Sequence, residues 1–178
     1  YKQASRNRGI TLGQIYSPEA FQAHFDHYVR IGRYSKDFYD HYTPEDILEA
    51  GRALNGERDF TYIYSTILAF DRRYLLNPNK DVRALPQEMY MAVALFLAIP
   101  ESKEKRREVA KKIYEVTSSQ KLSLPTPTLL NARTNFHQLS SCFKLNVDDD
   151  LRAIYHAVEN MAQISKFGGG VGVYLGHI

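Results

Sequence analysis

The residues best equipped for chemistry fall in three short blocks: Pro125-Thr126-Pro127-Thr128, Gln138-Leu139-Ser140-Ser141-Cys142-Phe143 and Lys166-Phe167-Gly168-Gly169-Gly170-Val171-Gly172. Cys142 is the sole cysteine. Taken alone, a thiol flanked by two hydroxyls reads as a small buried core residue. It cannot form an internal disulfide, which favours a reducing, cytoplasmic compartment; disulfide chemistry would need a second chain or further sequence. Thr126 lies between two prolines, which offer no amide donors to compete for a ligand, so its hydroxyl is expected to be free. A rigid loop turn is the plainer alternative. Ser141 carries a hydroxyl that can donate and accept. The glycine run lets main chain approach a ligand closely, or simply stops a helix. It lacks the Gly-Lys-Ser/Thr ending of a phosphate loop and the spacing of a dinucleotide fingerprint.

The elements that must position these blocks are legible from periodicity. Ser17-Pro18-Glu19 and Thr43-Pro44-Glu45-Asp46 each place a capping hydroxyl before a proline at the first helical position. Phe21, Phe25, Tyr28 and Val29 then recur at helical spacing, as do Ile47, Leu48 and Ala50, with Gly51 or Gly56 available to end the second element. Asp59 to Leu76 predicts a third helix on Phe60, Ile63, Tyr64, Ile67, Leu68 and Tyr74, broken by Asn77-Pro78-Asn79. Leu85-Pro86-Gln87-Glu88 opens a nearly continuous apolar run to Ile99, a helix buried on most sides and closed by Pro100. Glu101 to Ser119 reads as a surface helix with an inner face of Val109, Ile113 and Val116.

After Ser119 the pattern changes to proline-broken extended chain, which sets a boundary near residue 121: residues 1–120 form a helical domain and 121–178 a second, incomplete unit. Ser140 to Val147 alternates as a strand, Leu151 to Ile164 recurs at helical spacing, and Val171 to Ile178 is a second strand. Strand, helix, strand normally makes a parallel pair. Such a pair has open edges and a bare face, so more protein is expected against it. The start at Tyr1 and the stop directly after a strand-like run also read as cut ends.

Composition limits the remaining classes. The net charge is only +3 and the 23 basic residues are spread along the chain, which argues against nucleic acid. No apolar run is long enough to span a membrane. His24 and His27 are three apart on a helix without a third ligand at suitable spacing, so no metal site is expected. His137 would lower a thiol pKa only if it folded back on Cys142.

In order and spacing, the Pro-Thr-Pro-Thr block, Gln138 to Cys142, Asp149 with Leu151, and Ser165-Lys166 before the glycines resemble the large catalytic subunit of ribonucleotide reductase. The likeness is close from Lys121 to Ile178, and looser around Ile10-Thr11-Leu12 and Leu75 to Leu97. It implies a mostly α fold with a small α/β part: a helical N-terminal domain followed by the first strand-helix-strand unit of a ten-stranded α/β barrel. In that family a ribonucleotide is reduced at its 2′ carbon by a cysteine pair, after a third cysteine, as a thiyl radical, takes the 3′ hydrogen. The resemblance makes Cys142 one member of the reducing pair. It puts Ser141 against the ribose, Thr126 on the substrate diphosphate, and Gly169 and Gly170 near the base or sugar.

Asp149 and Lys166 sit at opposite ends of the expected helix, about 25 Å apart by helical rise. The resemblance brings them together across a dimer of large subunits, where a deoxynucleoside triphosphate effector would meet Asp149, Leu151 and Lys166. Asp150 departs from the small polar residue common there and adds charge near a triphosphate. Without a ligand, the acidic residues and Lys166 simply suit the two ends of a helix dipole.

One cysteine cannot fill three roles, so the chain alone is expected to be inactive and to need the rest of the large subunit, in the same or a separate polypeptide. A thioredoxin- or glutaredoxin-type reductant and a radical-generating small subunit are the further implied partners. No cofactor is expected in this chain. No residue decides between a metal subunit and adenosylcobalamin as radical source. A regulatory and assembly module, binding the effector at a dimer interface without a catalytic role of its own, is the alternative reading.

Overall fold

A computed structural model describes residues 1–76 and 84–178. Helix α1 (Lys2–Arg8) ends at Gly9, whose φ of 65° is left-handed backbone that favours glycine. Ser17 accepts from the Ala20 amide at 3.2 Å and starts α2 (Pro18–Arg30). After the single turn α3 (Phe38–His41), Thr43 and Asp46 exchange side-chain and backbone bonds in a capping box that starts α4 (Pro44–Arg52). Both hydroxyl-proline starts are therefore helix starts. Gly51 does not end α4. It lies inside that helix where α2 crosses, and a Cβ there would sit 2.8 Å from the Pro18 Cα.

The long third helix expected from Asp59 to Leu76 is instead three short pieces. A 3-10 turn (Gly56–Thr61), α5 (Tyr64–Ala69) and a π-helical turn (Phe70–Tyr74) follow one another, with Phe60, Ile63 and Tyr64 exposed. The physical reason is Asp59. Its carboxylate is buried, accepts from the hydroxyls of Tyr1 and Tyr16, and accepts from Gln87 Nε2 at 2.7 Å. Those distant partners hold residue 59 in a tight turn and rotate the following apolar residues away from the core. The expected break at Asn77-Pro78-Asn79 lies outside the described residues.

Helix α6 (Pro86–Leu97) is the central element, with Met89 and Met91 to Leu95 all buried. Around it gather Phe25, Tyr34 and Phe38, whose rings meet edge-on at 5.0 and 5.2 Å, together with Phe21, Tyr28, Ile47 and Tyr114. Each such side chain contributes about 1.5–3 kcal/mol when fully buried. Helix α7 (Lys103–Ser118) covers this core with Ala110, Tyr114 and Thr117, while Val109, Ile113 and Val116 are half-buried beside them. Its inner face is thus one residue round from the expected stripe. The opposite face carries exposed pairs such as Lys112 with Glu108 at 2.6 Å.

The Pro-Thr-Pro segment is not extended. Pro125 caps α8 (Thr126–Asn131), and Pro127 sits in its first turn, where a missing amide costs nothing. Strand β1 (Cys142–Asp148), α9 (Leu151–Lys166) and β2 (Gly170–His177) then form the expected crossover, and the two strands pair in parallel with Cys142 opposite Gly170. Helix α9 covers one face, burying Ala157 against the strands. Val173, Tyr174, Leu175 and Ile178 are exposed among the described residues. No helix among those residues is long and apolar enough to cross a membrane.

Candidate functional site

Cys142 is the first residue of β1, and its thiol is exposed. Within this chain the thiol is therefore not part of the hydrophobic core. The Ser141 hydroxyl lies 3.7 Å from the Cys142 Sγ, and the Ser141 carbonyl accepts from the Gly170 amide at 2.8 Å. Ser141, Cys142 and Gly170 thus share one end of the parallel pair, held by strand hydrogen bonds rather than by a mobile loop.

The glycines at that end have separate jobs. Gly168, at φ 81°, ends α9 in left-handed backbone, and the Gly169 amide donates back to the Ile164 carbonyl at 3.0 Å. At Gly169 a Cβ would lie 2.6 Å from Ile164 Cγ2 and 2.8 Å from Phe143 Cε2, so helix and strand close on this position. At Gly170 the nearest atom to a Cβ is the Ser141 carbonyl oxygen, at 3.4 Å. Gly169 has a packing reason of its own, whereas Gly170 lies in register with the thiol.

Thr126 begins α8, whose later residues make two side-chain bonds toward β1. Helix α8 is tied to the approach to β1 by Thr128 Oγ1 donating to the Leu139 carbonyl at 3.3 Å and Asn131 Nδ2 donating to the Gln138 carbonyl at 2.7 Å. The expected freedom of the Thr126 hydroxyl does not hold. Its Oγ1 lies 2.9 Å from the hydroxyl of Tyr74, at the end of the π turn. In the sequence Tyr74 was read only as part of the stripe of a single third helix, which is instead three short pieces. Arg133 was missed. Its side chain is fully buried, and its only sequence signal is a basic residue within Asn131-Ala132-Arg133-Thr134-Asn135.

Asp149 and Lys166 are not brought together within the chain. Asp149 follows the far end of β1, while Lys166 closes α9 at the thiol's end, its Nζ 5.6 Å from the centre of the Phe167 ring. Asp150 has a structural role: its Oδ1 accepts from the Ala153 amide at 3.0 Å and caps α9. Leu151 opens the helix and is exposed, as are Tyr155 and Val158 one and two turns on. That stripe gives α9 an apolar outer face besides the one it lays on the strands.

The histidines lie elsewhere. His137 Nε2 is 3.8 Å from Asp37 Oδ2, and its ring meets Phe96 at 4.8 Å, so it does not fold back on Cys142. His24 is buried beside Glu88, with Nε2 3.5 Å from a carboxylate oxygen, and burial pulls its pKa down to about 4. Glu88 in turn accepts two bonds from Arg8, at 2.5 and 2.9 Å. No group of three His, Cys, Asp or Glu side chains suited to a metal ion occurs among the described residues.

Two consecutive family models match the chain. "Ribonucleotide reductase, all-alpha domain" covers residues 58–137 and "Ribonucleotide reductase, barrel domain" covers residues 140–178. The chain is similar to the ribonucleoside-diphosphate reductase subunit alpha of Treponema pallidum, 41% identical over 148 residues, which is 83% of this chain and 17% of that protein. The protein of the same name from Helicobacter pylori is 37% identical over 84% of this chain and 18% of its own length. That of Enterobacteria phage T4 is 27% identical over 92% of this chain and 22% of its own. The chain therefore spans about a fifth of the curated relatives it matches.

Proposed function

Because the chain belongs to the ribonucleotide reductase large-subunit family, we propose that it forms one wall of a site where a ribonucleotide is reduced to a deoxyribonucleotide. The observation that carries this reading is Cys142: an exposed thiol on a paired strand, opposite Gly170 and beside the Ser141 hydroxyl. Rigid placement of an accessible thiol suits delivery of electrons to a bound substrate. In the reaction the 2′ C–O bond breaks and its hydroxyl leaves as water, while a C–H bond forms at that carbon. The two electrons come from Cys142 and a second thiol, which become a disulfide. An external dithiol of the thioredoxin or glutaredoxin type restores the pair.

The second thiol and the thiyl cysteine that takes the 3′ hydrogen come from the remainder of the subunit, since this chain holds one cysteine. The radical itself comes from a metal-bearing small subunit or adenosylcobalamin. Thr126 receives the substrate diphosphate, Ser141 the ribose, and Gly169 and Gly170 the base or sugar. The packing of Leu129 and Arg133 into the helical body favours counting residues up to about 139 with that body, beyond the pattern boundary at 121.

The exposed stripe Leu151, Tyr155 and Val158 supports a regulatory role as well. It suits pairing with a second large subunit, which would bring Asp149 and Leu151 of one copy toward Lys166 of the other around a deoxynucleoside triphosphate. In the assembled reductase, Cys142→Ser is expected to abolish deoxynucleotide formation and leave effector binding intact. Full turnover of that variant with a dithiol reductant overturns the catalytic assignment. Asp149→Ala is expected to change which ribonucleotide is preferred under a given effector, and an unchanged preference removes the regulatory one.

A further inference from the structure

Substrate phosphate on Thr126 is the reading on which this inference rests. A threonine whose hydroxyl already has a partner raises the question of what that partner does. Thr126 Oγ1 and the Tyr74 hydroxyl are 2.9 Å apart. The two segments that carry them are joined a second time from within. Arg133 donates through Nη2 to the Tyr74 carbonyl and through Nη1 to the Leu129 carbonyl, each at 2.5 Å, and Leu129 lies in the short helix that Thr126 begins. The backbone of Arg133 is itself fixed, its carbonyl accepting from the Ser35 amide at 2.9 Å.

This guanidinium is 0% exposed. The groups acting on its charge are Tyr34 and Tyr28 rather than a carboxylate, and burial holds its pKa below the ordinary arginine value. Its Nε and the Tyr34 hydroxyl have no hydrogen-bond partner among the described residues. A buried charge without an ion-pair partner is costly to keep. What it does here is bind two carbonyls, one on each side of the hydroxyl pair, so that the π turn and α8 cannot slide past each other.

Two hydroxyls in contact share one bond and hold two protons. If Thr126 donates to Tyr74, a phosphate oxygen approaching Thr126 finds only lone pairs. If Tyr74 donates to Thr126, the threonine proton is left to point outward. Phosphate oxygens accept and do not donate, so an anion selects the second arrangement, and donation from the phenol strengthens the threonine as a donor.

We propose that Tyr74 is a positioning residue for the substrate phosphate: its hydroxyl donates to Thr126 Oγ1 and aims the threonine proton at the anion, while Arg133 ties the Tyr74 carbonyl to that of Leu129 in the helix that Thr126 begins. Tyr74→Phe keeps the ring, which meets Phe70 edge-on at 6.1 Å, and removes only the donor. The test is steady-state kinetics of the assembled reductase with a ribonucleoside diphosphate, for Tyr74→Phe, Thr126→Ala, Thr126→Ser and the double variant Tyr74→Phe with Thr126→Ala. Tyr74→Phe should raise KM about three- to tenfold, with kcat moving much less. Thr126→Ala should raise KM at least as far, and adding Tyr74→Phe to it should change nothing more. Thr126→Ser, which retains a hydroxyl, should remain sensitive to Tyr74→Phe. If Thr126→Ala raises KM and Tyr74→Phe does not, or if the two effects multiply in the double variant, the positioning role is wrong and the phosphate reading stands. An unchanged KM in Thr126→Ala removes the phosphate reading, and this inference with it.

Discussion

Replacing Glu88 by Gln tests the account of the core most sharply. The carboxylate is 1% exposed and holds Arg8, itself 8% exposed, in a two-pronged pair at 2.5 and 2.9 Å; the Leu85 amide donates to the same carboxylate at 2.8 Å. A glutamine side chain has one acceptor oxygen where three donors converge, and its NH2 must then face an N–H. Arg8 is also left charged in a buried setting. Removing one partner of a buried pair costs about 3–5 kcal/mol, and the bond glutamine can keep puts the expected loss near the lower end, about 3 kcal/mol. For a chain of this size that lowers the melting temperature by roughly 6–12 °C. The chain has no tryptophan, so far-ultraviolet circular dichroism of its helices during urea denaturation is the suitable signal. Replacing both partners, Arg8→Met with Glu88→Met, should cost less than Glu88→Gln alone, because no buried charge is orphaned. A loss below about 1 kcal/mol for Glu88→Gln, or a double variant less stable than the single one, would refute the reasoning.

His24 gives the fold an acid-sensitive component. Its pKa is drawn to about 4 by burial against an ordinary 6.5, so the unfolded chain takes up the proton first and stability falls as pH drops through that window. Between pH 7 and 5 the loss is about 2 kcal/mol, measured by urea midpoints at each pH, and His24→Leu should flatten the dependence. Burial pushes the Asp59 carboxyl up and works in the opposite sense at lower pH, which is why the comparison stops at pH 5. Gly51→Ala should cost more than Gly169→Ala in the same denaturation assay: its Cβ meets Pro18 backbone at 2.8 Å, whereas at Gly169 only the side chains of Ile164 and Phe143 must yield. Asp150→Ala removes the α9 cap and should lower stability by about 1 kcal/mol, while Asp149→Ala leaves it nearly unchanged.

Local signals carried the reading where local interactions decide the structure. Ser17-Pro18 and Thr43-Pro44 start helices because the capping bond and the proline are both within one turn. The crossover from β1 to β2 was legible because its periods change cleanly from two to 3.6 and back. Asp59 shows where such reading fails. Its partners Tyr1, Tyr16 and Gln87 are far along the chain, and no window of sequence contains them. Thr126 failed for a related reason: prolines on both sides reduce competition from amides, but a hydroxyl from Tyr74, fifty-two positions away, takes the place. Cys142 stood out in the sequence only through its neighbours, since exposure of the thiol is a property of the folded strand.

The closure at Gly169 leaves no room for a side chain between helix and strand. Ile164 on α9 and Phe143 on β1 both press against that one position, and Phe143 is the residue after Cys142. Strand and helix are therefore seated on one another at the thiol's end, with Asp149 at the opposite end. Adding a methyl at position 169 would force Ile164 and Phe143 apart, and a void at position 164, as in Ile164→Ala, would leave room for it.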